Sequence, residues 1–542
     1  FLFGHEQPEN GNIRLGDEAE KLGPRFSALQ MAFYAQDEIQ MNPNFKLTVG
    51  LRADIPMFLD DAPLNNTDFN TTTVGLIEDA GYDLKGARAG QTPKTQILWS
   101  PRVGFNWDPT GDKTTQIRGG FGVFTSRVPF VWPGGIFIRN GLNSAFSIGG
   151  GQPIFSNPQD WVDNLASTVS PGGDVDLFVE DYKYPQILRS SLAIDKNLGN
   201  GFNATLEATY SKTLNNLDVK NVNIAQQPLD TTLTAIGGDN RAIFDLSDQI
   251  DSRYTDIILV DNTNKGYTFN ITGQVSKSWT NGLDASASYS FTRADALFDG
   301  RGFINGTNWD NILSPAGNNF PSVGRSTFDA ASRITAFVSY KKEYGGNFAT
   351  GISLFYNGQS GQPYTYVYSA PFSDVSNNAG YNDLLYVPAN QNDITFIDQT
   401  DGDGNVTVTA AQQAAAFDSF ISNNDYLSGR RGQFVEQNRV RTPFEHVIDL
   451  KVVQDFFIRS GQTKHNLQVS LDIFNFTNML NKDWGRRYFV GGNTFPLLTS
   501  VIDDNDALQG FQFNDPGDTF DIVQAGTNSA RWNAQFGIRY SF

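Results

Sequence analysis

The 542-residue chain contains no cysteine, so disulfides and thiolate metal sites are both excluded. Its three histidines, His5, His446 and His465, leave little for histidine-based catalysis. Charged residues make up only 18% of the chain, and the formal net charge of −18 argues against nucleic acid as a partner. No apolar run of about 20 residues occurs, so no transmembrane helix is expected. A membrane-spanning β-barrel escapes that test, because its residues alternate between lipid and lumen. There is no HExxH, GxSxG, Walker A loop or dinucleotide glycine fingerprint, and no enzyme activity is expected.

What the chain does have is glycine (52), phenylalanine (43), tyrosine (19) and a recurring period of two. In the closing stretch Arg531 to Phe542, every even position is apolar or aromatic and every odd one is polar or glycine. That is the pattern of a strand with one apolar face, and about 9–11 residues suffice to cross a tilted path through a bilayer. Phe45, Leu47, Val49 and Leu51 repeat the pattern, as do Phe202 to Tyr210, Leu283 to Phe291, Ile334 to Tyr340 and Leu467 to Ile473.

The pattern places thirteen strands at 29–40, 44–54, 97–108, 113–125, 186–198, 202–213, 265–278, 281–293, 328–341, 347–358, 446–457, 463–476 and 531–542. Hairpins fall at 42–44, 110–113, 199–201, 280–282, 343–346 and 459–462, each carrying Gly, Asn or Pro. The intervening connections are far longer. Short turns alternating with long loops predict an all-β fold, a transmembrane antiparallel barrel with periplasmic turns and extracellular loops in a bacterial outer membrane. A β-helix, propeller or sandwich would not sort its connections that way. Tyr34, Trp107, Tyr210, Trp279, Tyr340, Trp532 and Tyr540 are expected in the aromatic girdles that meet the lipid headgroups.

Tyr34-Ala-Gln-Asp-Glu38, with Leu47-Thr-Val-Gly-Leu-Arg52, resembles the mid-barrel signature of TonB-dependent outer-membrane transporters. Trp99-Ser-Pro-Arg-Val-Gly-Phe105 and Ile117-Arg-Gly-Gly-Phe-Gly122 resemble the next hairpin of that family. Asn382-Asp-Leu-Leu-Tyr-Val-Pro388, Leu427-Ser-Gly-Arg-Arg-Gly432 and Asn438-Arg-Val-Arg-Thr-Pro443 resemble its Oar-like branch. The resemblance implies a receptor that imports a ligand through a gated, plugged barrel, powered by TonB–ExbB–ExbD. It also implies a barrel of 22 strands. Residues 1–542 are then expected to be its C-terminal portion, with the plug and first strands on another chain or segment, separated by a nick near residues 1–25. Parity fits, since barrels of this kind have even strand counts and thirteen needs an odd complement. The alternative is a docking or export barrel partnered by a surface lipoprotein or secreted protein.

Three features are candidate sites. Asp401, Asp403, Asn405 and Thr407 have the one-three-five-seven spacing of a Ca²⁺ loop. Val406 and Gln412 stand where that loop has its glycine and bidentate glutamate, so an Asp/Gly turn is the other reading. Trp132 and Phe137 lie in the apolar segment 128–138, which either contacts a ligand or partner or packs against neighbouring loops. Arg430, Arg431, Arg439 and Arg441, with Arg486 and Arg487, could bind an anionic ligand or be tied up in ion pairs. Glycines 119, 120 and 122 in a strand suit close approach by a plug or loop.

Overall fold

The computed structural model describes residues 26–60, 66–141, 172–228, 236–241, 243–244, 249–300, 302–369, 383–461, 463–503, 508–516, 521–522 and 530–542. Residues 1–25, with the expected nick, lie outside that set. No described helix is long and apolar enough to cross a membrane.

Thirteen antiparallel strands follow one another along a single sheet path. They are β1 (Ala28–Asn42), β2 (Phe45–Phe58), β3 (Leu98–Trp107), β4 (Thr115–Thr125), β5 (Gln186–Gly199), β6 (Phe202–Asn221) and β7 (Gly266–Ser278). Then come β8 (Leu283–Ala296), β9 (Ala331–Tyr344), β10 (Phe348–Gln359), β11 (Glu445–Ser460), β12 (Thr463–Phe474) and β13 (Asn533–Ser541). All six expected hairpins join consecutive strands. Left-handed residues make them possible: Asn200 and Gly201 between β5 and β6, and Gly345 and Gly346 between β9 and β10. The path is open. Among the described residues β1 pairs only with β2, and β13 only with β12.

Directly paired residues share a face, so register sorts the sheet into two surfaces. Leu471 opposite Phe536, Val469 opposite Ile538 and Leu467 opposite Tyr540 build an apolar face. Phe536, Ile538 and Tyr540 leave 66%, 67% and 57% of their surface uncovered, far too much for a core of their own. The other face is polar, with Gln468 opposite Arg539 and Asp472 opposite Gln535. Its charges pair with one another: Lys46 with Glu38 at 3.1 Å, Lys341 with Asp455 at 2.8 Å, and Arg118 with Asp195 at 2.9 Å and Glu207 at 3.0 Å.

The expected girdle needs one correction. Tyr34 lies opposite Arg52, which puts it on the polar face. Trp107, Trp279, Tyr340, Trp532 and Tyr540 remain exposed large hydrophobics near strand ends, and Tyr210 is exposed in the middle of β6.

The buried core lies in the long loops. One cluster gathers Phe69, Ile77, Leu84, Ile136, Leu177, Val219, Tyr254, Ile257 and Trp309 from six separate stretches. It is braced by a parallel pairing of Gly173–Phe178 with Tyr254–Thr263, which in turn pairs with the loop end of β6. A second cluster gathers Tyr364, Tyr366, Tyr368, Leu385, Phe417, Leu497 and Phe511. There Pro363–Ser369 runs parallel to Thr494–Ile502. Helix Ala410–Asn423 covers it, started by a reciprocal cap between Thr409 and Gln412 and burying Phe417 and Ile421.

Candidate recognition surface and conduit

The apolar segment 128–138 belongs to the first loop core. Val128, Trp132, Ile136 and Phe137 are buried, while Phe130 and Val131 stay exposed. Phe137 stacks on Phe26 with ring centres 4.7 Å apart, and the Trp132 indole N–H donates to the Gly302 carbonyl at 3.2 Å. The two candidate aromatics therefore hold the cap together from inside, and the exposed pair beside them forms its surface.

Beneath this segment sits Asp176, a residue that periodicity did not single out. It is buried, with one oxygen accepting from Asn305 Nδ2 at 3.0 Å and facing the Arg139 guanidinium at 3.5 Å. Gly135 is required there, since a Cβ would overlap that same oxygen. Burial pushes the carboxyl up to about 7, although Arg139 and Asn305 pull it down. Asp310 in the same cap moves the same way, to about 6, also through burial.

The sign follows from linkage. A carboxyl raised above its unfolded value of about 3.9 contributes stability that is complete below that value and lost as pH climbs through the folded one. For Asp176 the difference is on the order of 4 kcal/mol. The first cap is therefore expected to gain exchange protection at Gly173–Val179 when pH falls from 8 to 5.5, after correction for intrinsic exchange. Asp176→Asn should flatten most of that gain. An unchanged pH response in the variant would remove Asp176 from the explanation.

All four candidate arginines occur in the second loop cluster with carboxylate partners. Arg430 and Arg439 share Glu436, the latter at 2.6 Å. Arg431 meets Asp418 at 2.8 Å, and Arg441 meets Asp329 at 2.6 Å. Arg486 pairs with Asp483, and Arg487 with Glu445 at 3.0 Å. An anionic ligand would have to displace these partners. A buried group that the sequence reading missed is more central: Arg241, held by Asp239 at 2.8 Å and Asp383 at 3.3 Å under the ring of Tyr368.

Asp401, Asp403 and Asn405 form an exposed turn between two short strands, Gln399–Thr400 and Val406–Val408, with Thr407 in the second of them. Asp401 Oδ1 accepts the backbone N–H groups of Asp403 at 3.0 Å and Asn405 at 2.8 Å. Those bonds, with the Asn405 side chain, hold its carboxyl below the usual range. Thr407 donates to the Gln399 carbonyl, and Gln412 is committed to the helix cap. Among the described residues no group of three His, Cys, Asp or Glu is placed to hold a metal. Because the turn is closed by its own hydrogen bonds, EDTA is expected to leave amide exchange across 399–408 unchanged. Slower exchange on adding Ca²⁺ would make it an ion site instead.

Two cavities complete the picture. One of about 60 Å³ lies among Asp299, Asn311, Thr327, Gln437, Asn438 and Asn493, a lining rich in amides. The other, about 260 Å³, lies on the polar face beside Lys46, Asn106, Arg118 and Ser191. Gly104 and Gly120 face each other across β3 and β4 beside it. A Cβ on Gly120 would press on the Val103 carbonyl, so the glycine is needed for the close strand contact itself.

A long antiparallel sheet with an uncovered apolar face, a charged opposite face, short turns at one end and folded loops at the other is the wall of a membrane β-barrel. The chain belongs to the outer membrane beta barrel domain family, whose sequence profile matches residues 10–500. It is a protein of the bacterial outer membrane, its apolar face turned to lipid and its polar face to the lumen. No curated protein matches it. Among solved structures, it is similar to the FrpB iron transporter of Neisseria meningitidis (F3-3 variant), with 13% identity and a TM-score of 0.35 over 85% of this chain and 43% of that one. It is also similar to the ferric enterobactin receptor PfeA of Pseudomonas aeruginosa in complex with BCV-L6, with 10% identity and a TM-score of 0.40 over 95% and 45%. The outer membrane transporter YddB of Escherichia coli gives 9% identity and a TM-score of 0.38 over 90% and 52%. The chain spans about half the length of these solved chains.

Proposed function

We propose that this chain is the C-terminal barrel portion of a TonB-dependent receptor of the Oar-like type. Such a receptor binds its ligand at the folded loops and imports it through a plugged lumen, without covalent chemistry. The observation that carries the reading is the open sheet with its charged inner face. Thirteen strands already exceed the eight whose side chains fill a small barrel, and adding the missing strands widens the lumen further. A lumen that wide is either water-filled or plugged. The motifs at Tyr34–Glu38, Leu47–Arg52 and Asn438–Pro443 support the plugged, energised case.

The loops fit a receptor's outer face. Their two hydrophobic cores make them compact bodies, so recognition would use preformed surfaces such as the amide-lined cavity at Asn311, Gln437 and Asn493. The test is purification of the intact complex from native outer membranes, followed by peptide mass spectrometry. A stoichiometric plug-bearing segment with a TonB-binding peptide is the expected result. A lone closed barrel, or a stoichiometric secreted protein or surface lipoprotein with no plug, would overturn the proposal, and the latter would point to docking or export.

A further inference from the structure

The free edge of β1 carries a residue that does not belong in lipid. Register sets Asp37 opposite Val49, with Ala35 opposite Leu51 and Ile39 opposite Leu47. Asp37 therefore lies on the apolar, lipid-facing side, whereas its neighbours Gln36 and Glu38 face the lumen, where Glu38 meets Lys46. The strand ends at Asn42, so Asp37 stands roughly 12 Å above the turn for a rise of about 3.3 Å per residue and a tilt of about 40°. That is near the middle of an apolar band about 25 Å tall. Among the described residues nothing donates to its carboxylate.

Four long cations on this face are treated differently. Lys196 and Lys277 sit by the turns, bonded to Thr115 and lying over the Phe202 ring. Lys212 and Arg293 sit by the loops, bonded to the Asn264 carbonyl and to Asp295. Long cationic side chains near a strand end can reach the interface. A short carboxylate at mid-depth cannot, and its cost there must be met by a neighbour.

Among the described residues β13 is not that neighbour. Both β1 and β13 run from the loop side to the turn side, so they cannot pair antiparallel. The unpaired N–H and C=O groups along β1 still need a partner at membrane depth.

We infer that the strand laid against the free edge of β1 carries an arginine or lysine on its lipid-facing side, directly opposite or diagonal to Asp37. Cross-strand side chains at such positions are close enough to form a charge-assisted hydrogen bond. The pair also fixes register, because a slip of one residue would turn the cation into the lumen and leave Asp37 alone in lipid. The inference rests on the proposal that further strands complete this barrel.

The test uses the full protein in native outer membranes, with a benzophenone amino acid placed at Ala35 or Ile39 so that Asp37 stays in place. Adducts read by mass spectrometry are expected to name one strand, with an arginine or lysine at the bracketed position. In parallel, Asp37→Leu should lower the heat-modifiable folded fraction several-fold, and Asp37→Glu should keep it. An adducted strand without a basic residue, an adduct to β1 of a second copy, or full folding of Asp37→Leu would each overturn the inference and leave the completed barrel standing. Lipid adducts alone at both positions would overturn the completed barrel itself.

Discussion

Arg241→Ala is expected to open the second loop core while leaving the membrane wall intact. The guanidinium is fully enclosed, paired with Asp239 and Asp383 and donating to the Leu384 carbonyl at 3.0 Å. It also lies over the rings of Tyr368, at 4.9 Å, and Phe434, at 5.4 Å. Burial alone would lower its pKa, but Tyr368 and the two carboxylates hold it above the ordinary arginine value. Removing one partner of a buried ion cluster costs about 3–5 kcal/mol, because the charges left behind are neither solvated nor paired. Local opening should then speed amide exchange at Tyr364–Tyr368 and Leu384–Val387 by roughly 10²–10⁴-fold.

A control separates charge from packing. Asp239→Asn with Asp383→Asn in the Arg241→Met background should recover much of the protection, since a neutral cluster of similar volume has no unpaired charge. Exchange in β11 and β12 should not move in any of these variants. Unchanged exchange in Arg241→Ala would mean that the loops do not depend on this cluster.

The wall of the barrel was legible in the sequence because lipid imposes its pattern residue by residue. The stretch 186–198 became Gln186–Gly199, and 347–358 became Phe348–Gln359. Where the local pattern lost its meaning, the boundaries moved. The strand expected at 202–213 runs on to Asn221, because Leu217 and Val219 leave the membrane and enter the first loop core. The strand expected from 328 begins at Ala331, because Asp329 is held by Arg325 and Arg441 in the loop that precedes it.

The loop cores were not legible, and the reason is their sequence separation. Thr365 pairs with Thr494, and Val175 with Ile257, both in parallel fashion, so no hairpin signal marks them. Tyr364, Tyr366 and Tyr368 alternate clearly and were the one available clue. Asp383, which joins Asp239 in holding Arg241, and Asp329, which holds Arg441, lie at distances along the chain that no spacing rule covers. Charge type was readable, but pairing was not.

Ile538→Arg is expected to block assembly of the barrel, whereas Gln535→Arg in the same strand should be tolerated. Ile538 lies opposite Val469 on the apolar face, between Phe536 and Tyr540. An arginine at the midplane of such a face costs about 2–4 kcal/mol, falling toward zero near the interfaces. Ile538 is four residues from the chain end, roughly 10 Å up a tilted strand, so only part of that cost can be relieved by reaching down to the headgroups. Gln535 instead lies opposite Asp472 on the polar face, where a new arginine would join the pair that Asp472 makes with Lys451 at 2.6 Å. Heat-modifiable mobility and denaturant midpoints in lipid vesicles would measure both variants. The contrast is decisive because a water-soluble sheet makes the opposite prediction. There an isoleucine with two-thirds of its surface exposed could become arginine at almost no cost, and solubility would rise. Only a face that meets hydrocarbon turns the same substitution into a failure to assemble.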